Sequence, residues 1–284
     1  MSITSSSVQV EMNICVWTAN KVDRVATDNV TNDNHAIRNA AQVRKNLMAG
    51  TVARKNIADH SAATRVWHNK NTLPWADRGA RLLPTSLFMD YKSEANIRRD
   101  TFNTMVSDFL NNYPSLRSIA QNYLGDLYDA DDYPSAEEIR DKFSFRMVFS
   151  PVPSSGDFRL DVPAQELDEM KMQYDNSFKD RMADAMREPW DRLHKVLTTM
   201  SDRLTEPDNE EEKKRYFTSL VTNAQDLCGM LTHLNVTNDP ILEDARRQLE
   251  TTMAGADIKT IKENCGTRGE MKRNVDAILS KFDW

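Results

Sequence analysis

Five histidines, three cysteines, one acidic run and one basic stretch interleaved with tryptophan are the residues of this 284-residue chain that could do chemistry. The histidines are His35, His60, His68, His194 and His233. No two of them lie three or four apart and there is no HExxH, the spacings that turn two imidazoles on one helix face toward zinc. Cys15, Cys228 and Cys265 form no CxxC pair, so no metal is expected, and a reducing compartment accounts for a scattered, odd cysteine count. Asp126, Asp129, Asp131 and Asp132 suggest calcium, but an EF-hand loop needs oxygen ligands at alternate positions around a central glycine. Counted from Asp126, the third residue is Tyr128 and the fifth Ala130, with no glycine in the run. A solvated acidic loop is the simpler expectation. GxxxxGKS/T, GxGxxG and GxSxG are all absent, and Cys15 stands in a segment where nothing specifies a base. No catalytic residue or cofactor is expected, and the chain reads as non-enzymatic.

The basic stretch has more functional content. Between Asn34 and Arg81 stand nine Lys/Arg (Arg38, Arg44, Lys45, Arg54, Lys55, Arg65, Lys70, Arg78 and Arg81) against Asp59 and Asp77, a net +7 in a chain of net −6. Cations interleaved with Trp67, His68 and Trp75 are the composition that single-strand binders use, charge for the backbone and rings for the bases. Arg38, Arg44, Lys45, Arg54, Lys55, Arg65, Trp67 and Lys70 are the nucleic-acid candidates on this reading. Against it stand a sequence pI of about 5.5 and the plainer possibility that both tryptophans are core and the cations a solvated helix face. The segment from Asn69 to Phe88 contains Pro74, Gly79 and Pro84 and shows no period, so it reads as a long loop. Its Trp75, Arg78 and Arg81 are read as partner-contacting.

The elements that must position these residues follow from periodicity. Val8, Val10, Met12, Ile14 and Val16 alternate with Gln9, Glu11, Asn13 and Cys15, which predicts a half-buried strand. The polar run from Asp28 to Asn34 reads as a loop, with Asn32 or Asp33 capping a helix through Ile37, Ala41, Val43, Leu47 and Met48. Gly50 weakens that helix, and the pattern resumes through Ile57, Ala62 and Val66. Ser93 is the expected cap of the next helix, and Pro114 is expected to stop it and open another through Ile119, Tyr123 and Leu127. Ser135 and Glu138 have the spacing of a capping box. Phe143, Phe145, Met147 and Phe149 alternate, as do Phe158, Leu160 and Val162, so a hairpin there should pair with the first strand.

From Leu167 the apolar residues fall at Met170, Tyr174, Phe178, Met182, Met186, Trp190, Leu193, Leu197, Met200 and Leu204, ten steps over 37 residues. A helix of that length is about 60 Å long and needs partners along it. Its methionines form an adaptable apolar surface, so Met182 and Met186 join the partner-binding candidates. Pro189 is expected to bend or break it. A second helix through Phe217, Leu220, Leu227 and Leu234 should return along it as a hairpin, Asp239 and Pro240 open a third, and Thr267 with Glu270 caps the last. The fold class is therefore mainly α (α+β), divided into a 1–162 unit with a small antiparallel sheet of about three strands and a 163–284 helical unit. No apolar run approaches the ~18 residues of a membrane span, and the start has neither the basic region nor the apolar run of a signal peptide.

The pattern of Trp190, Leu193, Leu204, Phe217, Leu220, Asn223, Leu227, Leu231, Asn235, Asp239, Pro240 and Leu242, within Glu188 to Glu250, resembles a family of helical tailed-bacteriophage proteins catalogued as a domain of unknown function. Gly79 to Pro84 and Val16–Trp17 match its N-terminal marks. Members are sometimes encoded near a MoxR-type AAA+ ATPase and a von Willebrand A protein. The resemblance implies a phage protein acting in the cytoplasm of an infected bacterium, an AAA+ ATPase or von Willebrand A protein as partner, and no reaction. Self-association is a further expectation, since a spine that outruns its own chain's helices would be covered by a second copy.

Overall fold

The computed structural model describes residues 6–37, 39–76, 79–154, 163–205, 217–254, 261 and 264–282. In chain order they form β1 (Ser7–Cys15), β2 (Asn20–Val22), α1 (Arg24–Asp33), β3 (Arg44–Asn46), α2 (Ala53–Asn71), β4 (Leu73–Pro74), β5 (Ala80–Pro84) and α3 (Phe88–Leu124). Then follow α4 (Ala136–Arg140), β6 (Ser144–Pro151), α5 (Ala164–Leu204), α6 (Phe217–Leu234), α7 (Pro240–Met253) and α8 (Cys265–Lys281). The fold is mainly α with a small antiparallel sheet in the N-terminal half, as the periodicity predicts. That sheet has four strands, ordered β4-β5-β1-β6.

β1 alternates as its residues require, with Val10 and Ile14 buried and Glu11, Asn13 and Cys15 exposed. The strand through Phe145, Met147 and Phe149, β6, lies beside it in the sheet as the alternation predicts, while the segment through Phe158, Leu160 and Val162 lies outside the described residues. On its other side it pairs with β5, in the register Val8↔Leu83 and Val10↔Arg81. The segment read as a long loop thus supplies two strands, Leu73 lying across from Leu82. They are two and five residues long, too short for a period to show, and Pro74 is tolerated because β4 is an edge strand.

Helix boundaries also differ from the sequence expectation. The run expected to be a loop before a helix at residues 32–48 is itself helical, as α1, and residues 34–37 and 39–43 are irregular. Asp23 caps α1 by accepting from Ala26 N at 2.9 Å. Its buried face is Thr27 and Thr31, whose hydroxyls bond back to the carbonyls of Asp23 at 2.6 Å and Thr27 at 3.0 Å. A helix whose inner face is threonine has no hydrophobic period to read. Pro114 does not stop α3, which starts before Ser93 and runs 37 residues through the proline. Phe109, Leu110 and Tyr113 are buried around that point, and their packing holds the helix against the lost hydrogen bond. Pro189 likewise sits buried inside α5 without ending it. α8 begins before Thr267, capped by Asn264, which accepts from Thr267 N at 3.2 Å. The capping box of Ser135 and Glu138 and the Asp239–Pro240 start of α7 form where the sequence puts them.

Compactness divides the chain otherwise than by sequence order. One unit comprises Met1–Glu11, Asn69–Met89 and Val148–Trp284, the other Met12–His68 and Asp90–Met147. In the first, Leu193, Leu197, Met200 and Leu204 of α5 pack against Leu220, Ala224 and Leu231 of α6, Leu242 and Leu249 of α7, and Val275 and Ile278 of α8. This is the long-helix hairpin with two further helices on it. In the second, Trp17 meets Phe109 edge-on at 6.2 Å, and Phe109 meets Phe143 at 5.7 Å. Leu197 is fully buried in the helical core, so Leu197→Ala should lower stability by about 2–5 kcal/mol. Urea unfolding followed by helical circular dichroism measures it.

Candidate functional site

Basic and acidic candidates meet in the unit made of 12–68 and 90–147, and they neutralise each other. That unit holds fifteen Lys/Arg and fifteen Asp/Glu, so its formal charge is zero. In the β2–β3 ribbon Lys21 stands directly across from Lys45, a like-charge pair that would be unfavourable alone. Asp132, from the acidic run, enters between them and pairs with Lys45 and, at 3.0 Å, with Lys21. Lys45 also reaches Asp23 at 3.5 Å and the Leu127 carbonyl at 3.2 Å. The hydrogen bond it donates to Asp132 raises the Lys45 ammonium above its ordinary pKa. Burial pushes the Asp132 carboxyl up, but the hydrogen bonds from Lys45 and Lys21 outweigh it and hold the group below the usual carboxylate range. Beside them burial pushes the Tyr113 hydroxyl up to about 12. Tyr113 donates to the Pro134 carbonyl at 3.1 Å and Arg117 to the Tyr128 hydroxyl at 2.9 Å. These bonds fasten the acidic run to the fold.

The other nucleic-acid candidates are mostly engaged as well. Arg54 donates to the Trp17 carbonyl at 2.8 Å and Arg65 to that of Ile14 at 2.6 Å. Lys55 pairs with Asp59 and Lys70 with Asp226. Trp67 stacks on Tyr91 at 4.5 Å with the Arg98 guanidinium 4.8 Å from its ring. Arg44 is exposed and bonds only Gln42, at 3.0 Å, among the contacts of the described residues. Arg38 lies outside the described residues.

Of the partner-binding candidates, Trp75 is a core residue, 4% exposed and edge-on to Phe178 at 5.1 Å. Met182 and Met186 pack on the same cluster, with Leu73, Leu82 and Leu234. Arg81 donates to the Thr72 hydroxyl at 2.7 Å and carbonyl at 3.1 Å, and Arg78 lies outside the described residues. Trp75, Met182 and Met186 thus face the chain's own interior. The apolar surface that remains is further back on α5. From Ala164 to Asp184 the helix has no buried side chain, Ala185 being the first. Leu167, Met170 and Tyr174 are half-buried there, and Met172 is 66% exposed.

Sequence reading missed the most heavily bonded side chain of the described residues, Arg192. Its Nη1 donates to the Lys70 carbonyl at 2.7 Å. Its Nη2 donates to the carbonyls of Asn69 at 2.7 Å and Thr72 at 3.2 Å. Glu188, one turn earlier, accepts from Nε at 3.1 Å. Orphan carbonyls at the end of α2 are thereby collected by a cation, which the helix dipole also favours. Nothing in a sequence marks a carbonyl acceptor, so only Glu188 at i−4 hinted at the arrangement. Trp190, Asn235 and Asp239 meet at one corner. Asp239 accepts from Ile241 N at 2.8 Å and from Trp190 Nε1 at 3.3 Å, while Asn235 accepts from Asp239 N at 2.8 Å. They make a turn and cap a helix.

Two further groups resemble chemistry. Ser201 donates to Asp276 at 2.5 Å, and Lys272 lies 3.4 Å from the serine and 2.6 Å from the carboxylate. The three residues tie α5 to α8. Burial pushes the Cys228 thiol up to about 11, far from nucleophilic thiolate. Among the described residues no group of His, Cys, Asp and Glu is placed to hold a metal, and no helix is long and apolar enough to cross a membrane. Comparison with protein-family models, curated proteins and solved structures found no match.

Asp132→Asn would leave Lys45 buried beside an uncharged amide, so it should cost about 3 kcal/mol at neutral pH. The sign with pH follows from linkage. The lowered Asp132 pKa gives stability that is present above the ordinary aspartate range and lost as pH falls through the native value. The raised Lys45 pKa gives stability that is lost only as pH rises above the ordinary lysine range. Denaturant titrations from neutral to acid pH should therefore show the wild type's advantage over Asp132→Asn shrinking in acid.

Proposed function

We propose that this chain is a non-enzymatic phage protein that works by protein–protein contact in the cytoplasm of the infected bacterium, as a partner or adaptor of an AAA+ ATPase or of its von Willebrand A protein. One observation carries the contact reading. Over the 21 residues from Ala164 to Asp184, α5 buries no side chain, yet it keeps Leu167, Met170 and Tyr174 at helical spacing. From Leu167 to Tyr174, before Phe178 and Met182 reach the core, that is about 12 Å of helix with an apolar stripe bounded by charge, the form in which helices enter partner grooves. The resemblance of Glu188 to Glu250 to phage proteins supplies the kind of partner, and α5 supplies the surface. Electroneutrality of the unit that contains most of the basic stretch gives that stretch, as a whole, no support as a nucleic-acid surface.

A tagged chain expressed during infection should recover an AAA+ ATPase or a von Willebrand A protein. Leu167→Asp with Met170→Asp should lose that partner while keeping the wild-type circular dichroism. A pull-down without either protein, or one that the double variant leaves intact, contradicts the proposal.

A further inference from the structure

The stretch of α5 that buries no side chain is also the acidic end of that helix. From Ala164 to Phe178 it carries Glu166, Asp168, Glu169 and Asp175 against Lys171, a net −3, whereas Lys179, Asp180, Arg181 and Asp184, which follow, cancel. All four carboxylates of the first group are exposed. Residues three, four or seven apart share a helix face. Glu166 and Glu169 therefore stand along one flank of the stripe of Leu167, Met170 and Tyr174, and Asp168, Lys171 and Asp175 along the other.

These charges are weakly answered from within the helix. Lys171 approaches Asp168 at 3.8 Å, in a pair whose carboxylate side chain is 75% exposed, and an exposed pair of that kind is easily given up for another partner. Glu169 accepts from the neutral Gln165 amide at 3.3 Å. At the end of the stripe the Tyr174 hydroxyl donates to the Pro153 carbonyl at 2.6 Å, which holds the ring in position as an apolar side chain. The surface is thus an apolar line between two acidic edges.

Such a surface fits a groove with an apolar floor and a rim of Lys and Arg. A second copy of the chain is a poor source of one. The unit of 12–68 and 90–147 has no net charge, and the unit that contains α5 holds twenty-two Lys/Arg against twenty-eight Asp/Glu, a net −6. Like net charge disfavours the approach of two copies. We infer that α5 docks through Leu167, Met170 and Tyr174 into an apolar groove rimmed by cations on a different protein, with Glu166, Asp168, Glu169 and Asp175 steering the encounter. The docking rests on the contact function proposed for α5 and specifies the charge of the surface that α5 meets.

Biolayer interferometry of the full chain against the AAA+ ATPase or von Willebrand A protein recovered with it, at rising salt, tests this. The association rate should fall steeply with salt, and Glu166→Lys with Glu169→Lys should lower it about tenfold or more while circular dichroism stays that of the wild type. Glu166→Gln with Glu169→Gln should lower it less. Asp100→Lys with Asp108→Lys, exposed acids of α3, changes the net charge by the same amount and should leave the rate close to that of the wild type. If Leu167→Asp with Met170→Asp abolishes binding while salt and the charge-reversed variant leave the rate unchanged, the contact reading stands and the cationic rim is overturned. Recovery of neither protein, or binding indifferent to both double variants of α5, overturns both. A dimer in light scattering that Leu167→Asp with Met170→Asp dissolves assigns the stripe to a second copy and overturns the inference as well.

Discussion

Arg192 is the side chain on which the helical unit's geometry most depends. A helix ends with carbonyls that lack partners, and α2 ends beside a strand of only two residues, too short to fix its own position. The Arg192 guanidinium takes the carbonyls of Asn69, Lys70 and Thr72 while Glu188 holds it from behind. Arg81 of β5 takes Thr72 from another direction. The end of α2, the β4–β5 pair and the middle of α5 are thus set by one fork of donors, each bond charge-assisted and therefore strong for its kind. The arrangement places β4 so that Leu73 and Trp75 enter the core with Phe178, Met182 and Ala185.

The same economy runs through the other unit. Its charges balance, and Lys45 of the basic stretch and Asp132 of the acidic run form a buried ion pair between a ribbon and a loop. Buried pairs of this sort contribute little net stability but fix which surfaces meet. Once such cations are assigned to the fold, few remain for anything outside it. Arg24 and Arg44 stand out because the alternation of a ribbon only three residues long turns Lys21 and Lys45 inward and leaves Arg44 facing solvent.

Much of the architecture could be read from the residues, and the failures have identifiable causes. The spine was readable because its side chains repeat at helical spacing over its whole length, and the starts of α4 and α7 because Ser135 with Glu138, and Asp239 with Pro240, satisfy helix-end donors in a way sequence spacing reports. α1 was not readable because threonines line its inner face. Pro114 misled because burial along α3 outweighs one missing donor. β4 and β5 are shorter than any detectable period. The site was harder still. Charge density shows where cations are, but which of them carbonyls and carboxylates take up is decided by tertiary placement, so Lys45 and Arg54 look the same in sequence as Arg44.

The central claim is that Arg192 and Arg54 are committed to backbone carbonyls of the fold while Arg24 and Arg44 stand exposed. Arginine-specific labelling of the native chain with phenylglyoxal, followed by peptide mass spectrometry, tests it most directly. Arg24 and Arg44 should be modified early, while Arg192, Arg246 and Arg54 stay protected until the chain is unfolded. Labelling of Arg192 as fast as Arg44 in the native protein would contradict the account.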